Sequence, residues 1–405
     1  MIDIKSIPIK RIAVKLKSAA ERKMRQGHPW VFEGSIIKES DTPNSGDLAI
    51  IYDHRTNKLL ALGLYDCESP IRIKIIQRGP AQLDQDWFDA KVRKAFKLRT
   101  PLLKTETNSY RLLFGEADGL PGVICDVYAD HAVLKLYSAA WFPYIDLLHE
   151  AISKTISTKT ILLRLNRNSQ TKANEIGLVD GQILSGTLES EEVIFKEHGV
   201  LFSANLVHGH KTGFFLDHRA NRKRVGQLAN GKTVLDVFSY AGGFSVHALC
   251  GGAKKVVSTD ISAPALELAE RNASLNTYKG VHETKQGDAF KILEKMISDQ
   301  ETFDLVVIDP PSFAKQQSEV ERALSQYRRL ALLGSKLVNS GGILVLASCS
   351  SRVNRESFFT EIDKVFSENR ITYYNLESHG HDVDHPIVVG FPEGEYLKCM
   401  YIEII

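Results

Sequence analysis

At 405 residues, with 43% hydrophobic and 25% charged side chains, the chain is too long for one ordinary core and too apolar for a disordered polymer. A net charge of +2 does not by itself mark a polyanion binder, and no apolar run reads as a signal-peptide core or a bilayer span. The five cysteines, at 67, 125, 250, 349 and 399, contain no CxxC pair, which argues against a disulfide framework or zinc site and for a reducing cytoplasm.

Taken in chain order, residues 1–30 carry eight Lys/Arg against two acids, Asp3 and Glu21. Within that cluster Arg22, Lys23 and Arg25 are the candidate contacts to a polyanion. Short β-like runs (LAIIYD, KLLALGLYD, IRIKIIQR) separated by turn-rich ESDTPNSGD predict a small, mostly β domain over 1–80. Residues 83–107 have helical spacing, with Trp87, Val92, Ala95, Phe96 and Leu98 near one face. Residues 91–104 within that stretch hold six Lys/Arg and no acid, a second basic cluster. Strands at GVICDVY, HAVLKLY, TILLRLN and EVIFKEHG and a helix around 142–156 make the middle region, 81–194, mixed α+β.

From 195 to 405 strands and helices alternate. TVLDVFS, KVVSTDI, FDLVVIDPP and GILVLASCS read as strands; GGFSVHALCGG, PALELAERNASLN and QYRRLALLGSKLVN read as helices; YLKCMYIEII reads as a closing strand. That alternation implies a parallel sheet covered by helices, which binds ligands beyond the carboxyl ends of its strands. The residues there are Asp236, Phe238 and Ser239, then the turn Gly242-Gly243, then Asp260-Ile261, Asp288-Ala289 and Asp309. Glycines suit backbone that approaches a ligand closely, and an acid at the end of the second strand can accept from ribose hydroxyls. Asp288 is positioned to read an adenine amine. The segment Gly226–Thr233 matches GxxxxGK[ST], but it follows a helix and precedes a strand, the wrong context for a phosphate loop. FSYAGGF in place of GxGxxG argues against a dinucleotide and for the looser S-adenosylmethionine turn.

At these residues the chain resembles the large-subunit (23S) ribosomal RNA methyltransferases that form 5-methylcytosine. The resemblance runs through GHPWVF (27–32), EADGLPGVICDVY (116–128), KTGFFLDHRANR (211–222), LDVFSYAGGFS (235–245), DPPSFAK (309–315) and SCSS (348–351). It implies a PUA-type RNA-binding domain, a middle domain and a C-terminal Rossmann-like class I methyltransferase domain. It also implies S-adenosylmethionine as cofactor and RNA as partner, with no metal and no membrane; a homodimer is compatible with it.

Carbon 5 of cytosine is too weak a nucleophile to take a sulfonium methyl unless a thiolate first adds to carbon 6. Cys349, after the apolar run GILVLA, is the candidate nucleophile, with Asp309 as a candidate base or anchor for the cytosine amine. Cys125, Cys250 and Cys399 read as core. In KTGFFLDHRANR, Arg219 is assigned to the cofactor and Lys211 and Arg222 to RNA, while Phe214 and Phe215 stack or pack. The competing readings are an RNA amino-group or guanine-ring methyltransferase that needs no thiol, and a non-catalytic ribosome-assembly factor.

Overall fold

The structure, a computed structural model, describes residues 7–405. Its contacts divide the chain into two compact units: Met1–Phe195, Ser203–Leu216 and Val383–Gly394 form the first; Lys196–Phe202, Asp217–Asp382 and Glu395–Ile405 form the second.

The first unit opens with a six-stranded sheet in the order Trp30–Val31, Ile73–Arg78, Leu59–Tyr65, Leu48–Tyr52, Arg11–Leu16, Ile36–Glu39. Arg11–Leu16 alternates, so Ile12, Val14 and Leu16 are buried and join Met24, Val31 and Ile51 in a compact core. A five-stranded sheet follows in the order Ile183–Gly186, Thr160–Leu165, His131–Leu136, Val123–Tyr128, Ser109–Phe114. Its second and third strands in sequence, with Thr160–Leu165, are the apolar runs expected; Ser109–Phe114 and the short Ile183–Gly186 were not anticipated.

Against this sheet packs the helix Gln85–Arg99. Asp84 caps it by accepting from Trp87 N, and Pro101 follows its end, so it stops short of the predicted 107. Leu98, placed on the apolar face by spacing, is 45% exposed, whereas Phe88 and Arg99 are buried. Arg99 forms a forked pair with Asp118 at 2.8 and 2.7 Å and donates to the Arg111 and Asp384 carbonyls. The second basic cluster therefore loses one of its charges to the core.

The second unit is built on a seven-stranded sheet. Its strands are β1 (Thr233–Val237), β2 (Lys255–Asp260), β3 (Val281–Gln286), β4 (Phe303–Ile308), β5 (Val338–Ser348), β6 (Tyr373–His379) and β7 (Lys398–Ile404), in the spatial order β3-β2-β1-β4-β5-β7-β6. The first five run parallel; β7 enters antiparallel between β5 and β6. Helices α1 (Arg219–Leu228), α2 (Gly243–Cys250), α3 (Ala263–Ser274), α4 (Ala289–Ser298), α5 (Val320–Ser335) and α6 (Arg355–Glu368) connect or flank them. Near-continuous Val, Ile and Leu in β1, β4 and β5 match burial on both faces. YLKCMYIEII is thus a strand as expected, but an interior one. Among the described residues no helix is long and apolar enough to cross a membrane.

Arg99→Ala would leave the Asp118 carboxylate buried without its counter-charge. It is expected to cost about 3–5 kcal/mol of stability, read as a fall in the urea midpoint with unchanged slope.

Candidate functional site at the strand ends of the second unit

The order β3-β2-β1-β4-β5 puts the topological switch at β1 and β4, and three carboxylates gather there. Asp236, in β1, is fully buried. Its Oδ2 accepts from Ser245 N at 3.0 Å and Ser245 Oγ at 2.6 Å, while its buried Oδ1 has no hydrogen-bond partner. Burial pushes this carboxyl up to about 7; the nearby charges of Asp309 and Asp260 add to the rise and outlast the opposing bonds from Ser245. The Ser239 hydroxyl, just past β1, is also buried without a partner. Asp260 ends β2, its Oδ2 accepting from Tyr240 N and its Oδ1 from Ser262 N, both at 2.9 Å. Ile261 beside it is 69% exposed. Asp288 is exposed and caps α4 by accepting from Lys291 N, with Ala289 buried at the helix start.

Between β1 and α2 the backbone is held in strained form. Phe238 and Tyr240 both have positive φ, 64° and 46°, unusual for side chains of their size. Gly242, at φ 72°, caps α2, and a Cβ there would meet the Ala269 Cβ of α3 at 2.8 Å. A Cβ on Gly243 would meet the Arg222 side chain at 2.7 Å. The absent side chains leave room for α3 and for Arg222 to pack closely against this turn.

Cys349 follows the last residue of β5, whose parallel pairing with β4 sets it beside Asp309. Its Sγ lies 3.7 Å from Asp309 Oδ1 and 3.5 Å from His218 Nε2; the last two atoms are 3.3 Å apart. Cys349 is half-buried and His218 nearly fully buried. Burial alone would push the imidazole down, but the Asp309 charge and hydrogen bond more than offset it, so His218 sits above its usual value. The donor atoms of these three residues lie within 4.8 Å of one another, close enough to hold a metal ion. Sequence reasoning expected no metal and did not single out His218; its place in LDHRANR, directly ahead of α1, was the available signal.

The loop carrying the thiol is tied down on two sides. Ser350 Oγ and Ser312 Oγ both donate to the Ala314 carbonyl, joining SCSS to DPPSFAK, and Ser348 Oγ donates to Tyr327 Oη at 2.9 Å. From below, Lys398 of β7 donates to the carbonyls of Ser350, Val353 and Tyr396 at 2.5, 2.6 and 2.9 Å. Burial lowers this ammonium to about 8. Lys398 was not recognised in the sequence, where YLKCMY reads as an ordinary strand.

The remaining sequence candidates divide. Arg222, assigned to RNA, is a correction: it is buried and forked onto Glu197 at 2.7 and 2.6 Å, so it cannot also reach a phosphate at the surface. Burial pushes Glu197 up, but the Arg222 charge and the bonds from Arg222 and His247 override it and hold the carboxylate far below its usual range. Arg219 is fully buried, with Nη1 3.4 Å from Asp382. In the first unit Arg22 and Lys23 are exposed; Arg25 is engaged by Glu21 at 2.9 Å and by Asp53. Lys211 is exposed over the Phe215 ring, and Phe214 is buried against Phe195. Cys125 and Cys399 are core, as expected, but Cys250 is exposed.

An orphaned carboxylate oxygen, an orphaned hydroxyl and clustered negative charge at the strand ends fit a ligand that brings N–H donors and positive charge, as S-adenosylmethionine does. Residues 179–365 match the family of S-adenosylmethionine-dependent methyltransferases, and residues 14–78 match the PUA-like domain. The fold is shared with a putative SAM-dependent methyltransferase from Streptococcus mutans (TM-score 0.82, 21% identity, 96% of this chain and 99% of that one). A putative methyltransferase complexed with SAH superposes equally well (TM-score 0.82, 22% identity, 98% and 100%). Fold and site together define a methyltransferase that uses S-adenosylmethionine. Along its length the chain is 41% identical to the ribosomal RNA large subunit methyltransferase of Deinococcus radiodurans (97% of this chain, 98% of the relative) and 34% identical to ribosomal RNA large subunit methyltransferase I of Tolumonas auensis (97% and 99%). The chain belongs to this family.

If the cofactor's ammonium meets Asp236, binding requires the carboxylate, which the free protein holds protonated below about pH 7. Affinity for S-adenosylmethionine is then expected to rise as pH passes upward through that value, with proton release in calorimetry, and Asp236→Asn should flatten the profile. A pH-independent affinity in the parent protein would remove Asp236 from the cofactor's partners.

Proposed function

We propose that this chain transfers a methyl group from S-adenosylmethionine to carbon 5 of a cytosine in large-subunit ribosomal RNA, in the cytoplasm. The substrate is supported by the names of relatives that match 97% of the chain. The chemistry rests on one observation: a half-buried thiol at the tip of β5, within 3.7 Å of the acid that ends β4.

S-adenosylmethionine, when bound, supplies an electrophilic methyl on its sulfonium. Asp236 and Ser239 are suited to its amino-acid end, while Arg219, fully buried and held by Asp382 and Glu197, is no freer than Arg222 to meet the cofactor carboxylate. Asp260 keeps a lone pair on each oxygen for the ribose hydroxyls, while Ile261, Asp288 and Ala289 bound the adenine. Phe238, Gly242 and Gly243 shape the turn between these groups. On the RNA side the PUA-like segment, with Arg22, Lys23 and Arg25, and Lys211 supply positive charge to phosphates.

A cytosine stacked in folded RNA must first leave its stack to reach Cys349, at a cost of a few kcal/mol that phosphate contacts offset. The Cys349 thiolate adds to carbon 6, which makes carbon 5 nucleophilic toward the methyl. Asp309 lies beside the sulfur and is the group available to exchange protons with the ring, including the carbon 5 proton released before the sulfur departs. The arrangement of Asp309 next to a thiol is superfluous for methylating an exocyclic amine.

Cys349→Ala is expected to lower turnover by on the order of 10³-fold or more while S-adenosylmethionine binding persists. RNA carrying 5-fluorocytidine should form a covalent adduct with the parent protein and none with the variant. Mass spectrometry of ribosomal RNA nucleosides should show 5-methylcytosine restored by the parent alone in cells lacking the protein. Retained activity in Cys349→Ala would redirect the assignment to an amine or guanine methyltransferase.

A further inference from the structure

His218 is the third member of the cluster around the Cys349 sulfur, and its hydrogen-bond partners fix where its proton sits. Nε2 faces a carboxylate oxygen, Asp309 Oδ1, at 3.3 Å. An ionised carboxylate only accepts, so the nitrogen facing it must carry hydrogen. Nδ1, on the other edge of the ring, lies 3.2 Å from the side-chain nitrogen of Asn221. An amide nitrogen only donates, so Nδ1 must accept and carries no proton. The Tyr401 hydroxyl lies 3.1 Å from Asn221 Oδ1 and 3.3 Å from the Asn221 main-chain carbonyl, so it holds this residue against β7 with its single hydrogen shared between the two oxygens. Phe244 packs edge-on to the ring at 5.4 Å and prevents it from turning freely. The charges that face the ring are Asp309 and Asp217, which favour the imidazolium, and Arg222, which opposes it.

This tautomer is wrong for a metal. A metal ion on Nε2 would displace the proton and leave it on Nδ1, pointing at the Asn221 amide hydrogens; ligating histidines instead need an acceptor at the distal nitrogen. It is also wrong for a base that removes the thiol proton, since the nitrogen beside sulfur is already occupied. It is right for a donor.

We propose that His218 is a catalytic hydrogen-bond donor, its Nε2–H held by Asn221 toward Cys349 and Asp309 so as to stabilise the thiolate, while Asp309 and not the imidazole accepts the thiol proton. The proposal rests on Cys349 being the nucleophile. The proton passes from Sγ to Asp309 Oδ1, leaving the sulfur pair free to bond carbon 6. The π pair displaced from the carbon 5–carbon 6 bond moves through carbon 4 onto ring nitrogen 3, which takes the proton that Asp309 carries. The imidazole keeps its own proton throughout and contributes a charge-assisted hydrogen bond to sulfur.

Two measurements on the full chain test this. The first is nitrogen NMR of protein labelled in its histidine rings, with the His218 signals identified by their loss in His218→Gln. At a pH high enough for the imidazole to be neutral, Nε2 is expected to be pyrrole-like and Nδ1 pyridine-like; the reverse pattern overturns the proposal. The second is iodoacetamide alkylation of Cys349 followed peptide by peptide against pH, with exposed Cys250 as the internal control. His218→Ala, which removes the donor, is expected to slow Cys349 alkylation about tenfold near neutral pH, the worth of one hydrogen bond to a charged group. His218→Gln, which keeps an N–H donor but no base, should stay close to the parent rate. If His218→Gln is as slow as His218→Ala, or if His218→Ala is as reactive as the parent, His218 is not acting as a donor. Neither readout requires turnover. Failure of the parent to form an adduct with 5-fluorocytidine RNA would defeat the covalent reading separately from either outcome.

Discussion

Three carboxylates, Asp236, Asp260 and Asp309, are brought together because parallel strands all end on the same side. Two of them touch no cation among the hydrogen bonds and ion pairs described: Asp236 is satisfied by Ser245 on one oxygen only, and Asp260 by backbone N–H groups. Burial opposes ionisation of Asp236, and the like charges of Asp309 and Asp260 add to that cost, so its carboxyl is pushed up to about 7. A ligand carrying a sulfonium and an ammonium relieves both. The sheet order therefore does more than position residues. It gathers negative charge at the strand ends, of a kind that a cationic ligand would relieve, beside the strained Phe238–Tyr240 backbone and the close packing of Gly242 on α3.

The same geometry brings a carboxylate and a thiol together at the ends of β4 and β5. The charge of Asp309 is felt by Asp236 and its Oδ1 lies 3.7 Å from the Cys349 sulfur, so one carboxylate borders both the strand-end acids and the thiol. Around the thiol the supporting contacts are nearly all backbone carbonyls and hydroxyls: Ala314 receives two serines, Ser348 reaches Tyr327, and Lys398 gathers three carbonyls. A loop held in this way keeps the sulfur at the cleft without burying it, which is the requirement for a group that must meet a large substrate.

Much of this was legible in the sequence, for a physical reason. Strands buried on both faces are continuous apolar runs, and the residues just past them are the ones exposed at the cleft, so LDVFSYAGG, STDI, VIDPPS and VLASCS mark four strand ends without any structural input. What failed to show were residues whose role depends on a partner far away in sequence. Arg222 looks like a free surface charge until Glu197 is seen to grip it. Arg99 looks like part of a basic stripe until Asp118 is found beneath it. His218 meets Asp309 and Cys349 only in the folded chain, and Lys398 meets carbonyls nearly fifty positions upstream. Helix spacing misjudged Leu98 because the apolar stripe of Gln85–Arg99 is set by packing against both the helix Ile145–Thr155 and the strand Ser109–Phe114, whose own run, SYRLLF, is too short to announce itself.

The placement of β7 carries a consequence for how such a chain comes into being. It is the strand that fills the gap between β5 and β6, yet it is threaded last, after both of its neighbours have been made. Until residues 398–404 arrive, the sheet has an open seam and the carbonyls of Ser350 and Val353 have no ammonium to meet. A growing polypeptide thus holds the Cys349 thiol well before it holds Lys398, which clasps the loop that carries it. The seam between β5 and β6 closes only when β7 pairs with both.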